Sequence, residues 1–329
     1  MSGLDAQQLG ALLLQPAEPV LLRGLVAHWP AVRAAAAPGG ITDYLRARDG
    51  GATVGAWFAG PEINGRFDYT SDLGGFNFAR EKLPFARLLA LLEQHAADAA
   101  PPAVYMGSTT LEAVVPGFAA ENPLPTDALA PFDPLASLWL GNRTSVALHQ
   151  DLPDNLAIVV AGRRRFTLLP PDQLPNLYIG PLEHTLAGQP TSLVDHRAPD
   201  HARFPRYAEA QAHALTAELG PGDALLIPSL WWHGVDALEP VNLLLNYWWR
   251  TSPAHMDSPM GALLHTLMTV RDLPPAQRAA WRTLFDHYVF DAGEHTAAHL
   301  PPAARHVLAP LDDAATRALR ARLIRRLNR

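Results

Sequence analysis

Leu219–Val235, LGPGDALLIPSLWWHGV, is the stretch that decides how this chain is read. Gly220-Pro221-Gly222-Asp223 is turn chemistry, Ala224–Ile227 is a short buried strand, and Pro228, which has no N–H to give a ladder, ends it. Trp231 and Trp232 then set His233 beside a bulky apolar wall. A second stretch, Trp139–His149 (WLGNRTSVALH), closes on His149-Gln150-Asp151. Residues two apart on a strand project from one face, so this end presents an imidazole and a carboxylate side by side. Two such ligands need a third from elsewhere, and His233 is the candidate.

Working outward, the middle of the chain holds more short runs of β-type residues bounded by Pro, Gly, Asn and Asp. Ser137–Leu140, Thr144–His149, Asn155–Ala161, Arg165–Leu169, Ala224–Ile227 and Val241–Arg250 are the clearest. Short strands with turn signals between them predict a mainly β sandwich or barrel, not a parallel α/β sheet. The segment 180–214, rich in Pro, His and Asp, reads as a long insertion or lid. Upstream, Asp5 is a cap for a helix over Ala6–Leu14, Pro19–Val26 reads as a strand, and Leu83–Ala97 has helical apolar spacing. Downstream, Ser258–Val270, Pro275–Phe290 and Asp312–Asn328 have helical periodicity, the last with Asp312 as its cap and a run of arginines. The expected organisation is α/β elements over 1–100 packing on a barrel, a barrel core over 101–250, and a helical region over 251–329.

With 329 residues, 48% hydrophobic and 18% charged, the chain has ample material for a buried core. There are no cysteines, which removes disulfides, zinc fingers, iron–sulfur clusters and thiol nucleophiles. Any metal must be held by nitrogen and oxygen. The net charge of -6 gives no global footprint for nucleic acid or an anionic membrane, so neither is an expected partner. The first residues lack a signal-peptide pattern, and a cytoplasmic protein is the expectation. Lys82 is the only lysine among 26 Lys and Arg.

Fourteen histidines say little singly; their partners matter. Two imidazoles and one carboxylate form the ligand set of non-haem iron(II) sites, which leaves open positions on the metal for other reactants. An HxD pair alone would be read as a paired structural histidine; the PGD turn followed by Trp-Trp-His changes that reading. His295 and His299 sit four apart, but no glutamate follows His295, so the HExxH pattern is missing and they read as surface residues. His184, His196, His201 and His213 fall in the expected lid.

The order of these features is His149-Gln150-Asp151, Asn155, Gly162-Arg163-Arg164-Arg165-Phe166-Thr167-Leu168-Leu169-Pro170-Pro171, PGD…IP…WWH, then Asn246-Tyr247-Trp248. It resembles the Jumonji-C/cupin-like oxygenases, among them the asparaginyl hydroxylase that modifies hypoxia-inducible factor. The likeness runs from about Pro19 to Arg250 and is strongest over 138–250. It implies a double-stranded β-helix (a cupin or jelly roll) with added helices, iron(II), 2-oxoglutarate as co-substrate, and dioxygen. By position it also implies that His149, Asp151 and His233 are the iron ligands.

Arg164 falls where many relatives carry a lysine for the distal carboxylate of 2-oxoglutarate, and arginine's planar fork suits a carboxylate. Alternation makes Arg164 face opposite to Arg163 and Arg165. Asn155 and Asn246 match polar residues near metal and co-substrate, and Tyr105 matches a tyrosine that binds the co-substrate. Trp231, Trp232 and Trp248 are assigned to the pocket wall, with core packing as the plainer reading. A departure lies at Val146, where the hydroxylase has a threonine; Thr144 and Ser145 are the nearest hydroxyls. The expected function is hydroxylation of a protein or peptide side chain. The alternatives are the same chemistry on a small metabolite, or a silent metal-binding cupin. The resemblance also implies a homodimer through the C-terminal helices.

Overall fold

The computed structural model describes residues 1–37 and 39–328. Among them are thirteen strands: β1 (Val20–Leu22), β2 (Thr53–Ala59), β3 (Arg66–Phe67), β4 (Ala79–Pro84), β5 (Ala103–Thr110), β6 (Leu135–Gly141), β7 (Ser145–Gln150), β8 (Asp154–Ala161), β9 (Arg164–Leu169), β10 (Leu215–Leu219), β11 (Ala224–Ile227), β12 (Trp232–Ala237) and β13 (Asn242–Trp249). They form an eight-stranded sheet in the order β1-β11-β8-β13-β6-β5-β2-β4 and a five-stranded sheet in the order β10-β9-β12-β7-β3. Neighbouring strands are antiparallel except β3 and β7. The mainly β, jelly-roll architecture expected from the sequence is the one observed.

The large sheet is buried on both faces at its centre, and strand alternation divides its side chains between two cores. Leu156, Ile158 and Val160 of β8, Leu243 and Leu245 of β13, and Leu226 of β11 pack with Leu9, Leu13, Leu88 and Leu92 of the N-terminal helices. Their immediate neighbours Ala157, Val159, Leu244, Leu225 and Ile227 turn the other way. There they meet Phe166 and Leu168 of β9 and Val235 of β12, so this second core lies between the two sheets. Asn155 and Asn246 share the alternation of Ala157 and Leu244, and thus face the space between the sheets.

Residues 1–100 are more tightly built into the sheet than their sequence suggests, because β2 and β4 extend the large sheet beyond β5. By contacts the chain divides into compact units over Met1–Thr251 and Ser252–Arg329. In the second unit the helices are Pro259–Thr269, Pro275–Phe285, a π-helical turn over Asp286–Phe290, Glu294–Ala297 and Asp313–Leu327. The Asp312 carboxylate accepts from the Ala315 N–H and caps the last of these, while Asp5 and Gln8 form a full capping box at Ala6–Leu14.

Phe166 is 1% exposed between the sheets. Phe166→Ala is expected to lower unfolding free energy by about 3–5 kcal/mol with an unchanged denaturant slope, as read by urea unfolding.

Candidate metal centre

His149 sits near the end of β7 and His233 near the start of β12, and the two are directly paired across the ladder. Between His233 and Val235 the register shifts, so that Val235 faces Val146 rather than Ala147. The bulge adds one residue to β7 and thereby brings both Val146 and His149, three apart, to the inner face. Asp151 lies just beyond the strand, where its carbonyl accepts from the Leu230 N–H. The bulge lies on the Val146 side of His149, so His149 and Asp151, two apart at the strand end, still present their ligand atoms together.

The result is a convergence of three ligand atoms, one from each of His149, Asp151 and His233, all within 4.8 Å of one another. His233 Nε2 lies 3.6 Å from Asp151 Oδ2, and the two imidazole centroids are 4.3 Å apart. Each imidazole is oriented in the same way. His149 Nδ1 is 2.9 Å from the Ala147 carbonyl and His233 Nδ1 is 3.0 Å from the Trp231 carbonyl, so each Nδ1 is the donor and each Nε2 keeps its lone pair for the centre. Burial, with His149 alongside, depresses the His233 pKa, which favours the neutral ring a metal requires.

Asp151 is held from behind. Asn155 Nδ2 donates to Asp151 Oδ2 at 3.4 Å, and Asn246 Nδ2 donates to Asn155 Oδ1 at 2.5 Å. Reversing either amide would set oxygen against oxygen in a buried site, so the carboxylate fixes the direction of the whole relay. The two asparagines expected near the co-substrate thus contact the carboxylate side of the centre as well as the cavity.

A cavity of about 40 Å³ adjoins the triad, lined by Tyr105, Trp139, Val146, Asn155, Arg164, Phe166, Asn246 and Trp248 among others. Arg164 is 2% exposed, and its guanidinium has no carboxylate partner among the described residues. Nη2 donates to the Trp139 carbonyl at 3.3 Å, whereas Nε has no partner. Burial lowers its pKa to about 10. Arg163 and Arg165 face outward instead, paired with Glu239 at 2.7 Å and Glu218 at 2.5 Å. Trp139 Nε1, Trp248 Nε1 and Asn246 Oδ1 are also buried without partners. Tyr105 is buried here, and desolvation raises its pKa, so the phenol keeps its proton.

Two sequence assignments need correction. Trp231 and Trp232 do not line this cavity. Trp232 alternates with His233 and packs on the outer side of the small sheet with Leu148, Leu169 and Tyr207, and Trp231 is partly buried against the core between the sheets. Trp248 does line it, and so does Trp139, a residue the sequence reading leaves without a role. Neither hydroxyl compensates for Val146: Ser145 Oγ donates to Asp236 Oδ1 at 2.6 Å on the other face, and Thr144 Oγ1 faces the Asn142 carbonyl. The lid histidines also lie elsewhere. His184 stacks on Phe76, His196 contacts Asp236, and the segment instead sends Leu186, Gln189 and Thr191 to a larger cleft beside the triad.

The sequence pattern of the cupin-like domain matches residues 6–255. The chain belongs to the cupin-like family of Jumonji-type oxygenases. The human bifunctional peptidase and (3S)-lysyl hydroxylase JMJD7 is 28% identical over 262 residues, covering 71% of this chain and 78% of that protein. Human HSPB1-associated protein 1 is 35% identical over 125 residues, 37% of this chain and 25% of that protein. The chicken tRNA wybutosine-synthesizing protein 5 is 35% identical over 106 residues, 32% of this chain and 30% of that protein.

An unpaired buried cation destabilises the fold that holds it. The folded Arg164 pKa of about 10 lies below the ordinary 12.5, so the wild type gains stability as pH rises through about 10. Arg164→Met is therefore expected to raise the unfolding free energy of the ligand-free protein by about 1–3 kcal/mol at neutral pH. Urea unfolding at pH 7.5 and 10.5 checks this, the gain shrinking at the higher pH.

Proposed function

We propose that this cupin-like oxygenase is an iron(II)- and 2-oxoglutarate-dependent hydroxylase acting on a protein or peptide side chain. The observation that carries the reading is Arg164, a buried guanidinium without a carboxylate partner that opens on the same cavity as the His-Asp-His cluster. A bare cation in that position calls for an acid that enters with its own charge. The donor set fits iron(II): two oriented imidazole nitrogens and one carboxylate oxygen. When bound, iron(II) with 2-oxoglutarate and dioxygen supplies oxidation of an unactivated C–H bond, the co-substrate ending as succinate and carbon dioxide.

The chain's own part is orientation and exclusion of water. His149, Asp151 and His233 hold the metal, the Ala147 and Trp231 carbonyls fix the two rings, and the Asn246–Asn155 relay aims the carboxylate. Arg164 receives the distal carboxylate of 2-oxoglutarate, with the protonated Tyr105 phenol beside it. Val146, Phe166 and Leu244 give that subsite apolar walls, which strengthen the ion pair by keeping water out. The similarity to a named lysyl hydroxylase along most of its length supports a protein side chain as the target.

We further propose a homodimer through the C-terminal unit. Its helices expose Trp281, Tyr288, Val289, Phe290, Leu323, Ile324 and Leu327, with Phe290 74% exposed, apolar surface that a second copy would cover.

Purified protein given iron(II), ascorbate and 2-oxoglutarate is expected to form succinate slowly without any prime substrate, and Asp151→Ala to abolish it. Arg164→Met is expected to raise KM for 2-oxoglutarate at least about 30-fold, or about 2 kcal/mol. No succinate, together with no binding of 2-oxoglutarate, contradicts the oxygenase reading. Light scattering is expected to give twice the chain mass, and a concentration-independent monomer would overturn the dimer.

A further inference from the structure

The cavity beside the triad opens into a cleft of about 730 Å³ that reaches from His149 and Asp151 to the edge strand β4. Its floor is the outer part of the large sheet, crossed strand by strand. Trp139 lies on β6, Tyr105 on β5, Trp57 opposite Tyr105 on β2, and Arg80 opposite Trp57 on β4. Three strand spacings separate β6 from β4, about 14 Å. That is about four residues of extended peptide at about 3.3 Å each. A small metabolite held at the metal does not span such a distance.

The far end of the cleft is cationic. Arg80 and Lys82, two apart on β4, share one face and pair with Trp57 and Gly55 of β2. Arg80 is fixed there: its guanidinium lies 5.5 Å from the Trp57 ring, 5.1 Å from Phe76 and 5.5 Å from Phe78, and it donates to the Leu186 carbonyl of the segment that covers the cleft. Lys82 is exposed. Neither cation has a carboxylate partner among the described residues. Glu81 touches the rim, yet pairs with the buried Ala56 and so belongs to the opposite face.

The path inward from Lys82 is cleared of side chains. Gly55 stands opposite it, and a Cβ added there would meet nothing within 4 Å. On β5, Gly107 lies two residues beyond Tyr105 and also lines the cleft. Neither glycine puts a side chain into the cleft beside the aromatic row, and at Gly55 the space is open. The edge of β4 adds unpaired backbone groups along the same rim, the kind of edge an extended chain can join.

We infer that this cleft binds an extended acidic peptide, with an Asp or Glu about four residues from the modified side chain engaging Lys82 and Arg80. The inference rests on the hydroxylase reading and names its substrate class. A cationic, aromatic cleft has chemistry in common with sites for single-stranded RNA. Two cations without carboxylate partners on a chain of net charge -6 favour a peptide carrying one or two acids over a polyphosphate backbone.

The test is binding of fluorescein-labelled dodecapeptide pools, one enriched in Asp and Glu and one in Lys and Arg, beside a labelled RNA dodecamer. Fluorescence anisotropy is read on the manganese(II)-loaded full chain with 2-oxoglutarate. The acidic pool is expected to bind at least ten-fold tighter than either other probe. Lys82→Glu is expected to erase that preference and Lys82→Arg to retain it. Gly55→Leu, which fills that open space without changing charge, is expected to weaken the acidic pool at least five-fold. Thermal unfolding confirms that each variant is folded. Failure of every peptide pool to bind, equal or better binding of the basic pool or of RNA, or an acidic preference untouched by Lys82→Glu overturns the inference. Succinate formation and 2-oxoglutarate binding by the wild type are measured in parallel: absence of both refutes the hydroxylase reading, whereas succinate with no acidic preference refutes this inference alone.

Discussion

The central strands of the large sheet must satisfy two apolar surfaces at once, and everything else at the site follows from that. β8, β11 and β13 send alternate side chains to the helices on one side and to the small sheet on the other. A polar side chain on the inner face therefore has no water to fall back on and survives only through other polar groups. Asn155 is held between Asp151 and Asn246, and Asn246 donates to Asn155 while its own Oδ1 stays without a protein partner. The two histidines survive by bonding backbone carbonyls two residues before them. Each of these bonds also determines which atom remains free, so satisfying buried groups and aiming ligands are one arrangement.

Arg164 is the member of this set that its neighbours satisfy least. It has a single hydrogen bond to the Trp139 carbonyl, an unpartnered Nε, and a pKa drawn down by burial. Its flanking arginines show how readily an ion pair could have been built, since both have one on the outer face. A fold that leaves the inner arginine bare carries a destabilising group, and the natural compensation is an acid that arrives from solution. Stability given up at a site and recovered on binding is a common trade in enzymes.

Much of this was legible in the sequence. The short strands around Asn155–Ala161 and Asn242–Trp249 announced themselves by near-continuous apolar runs, and His149, Asp151 and His233 by their setting among turns and prolines. The three consecutive arginines could be sorted by alternation alone. The outer strands were not legible: β2, TVGAWFA, is interrupted by Gly and Ala, and β4, AREKLP, is an exposed edge without an apolar face. The bulge in β7 was equally invisible, because one extra residue leaves no mark in composition, yet it decides that Val146 and not Ser145 faces the cavity. Trp232 was misplaced for the same kind of reason. Adjacency to His233 in sequence means the opposite face in a strand.

The central claim is that the three-ligand cluster and Arg164 together form one site for a metal and a dicarboxylic 2-oxo acid. The most direct measurement is calorimetric titration of 2-oxoglutarate into the protein with and without manganese(II), repeated on Asp151→Ala. The account predicts one co-substrate per chain, bound tightly only when metal is present and lost in the variant. Binding that ignores both metal and Asp151, or no binding to the metal-loaded protein, would contradict it.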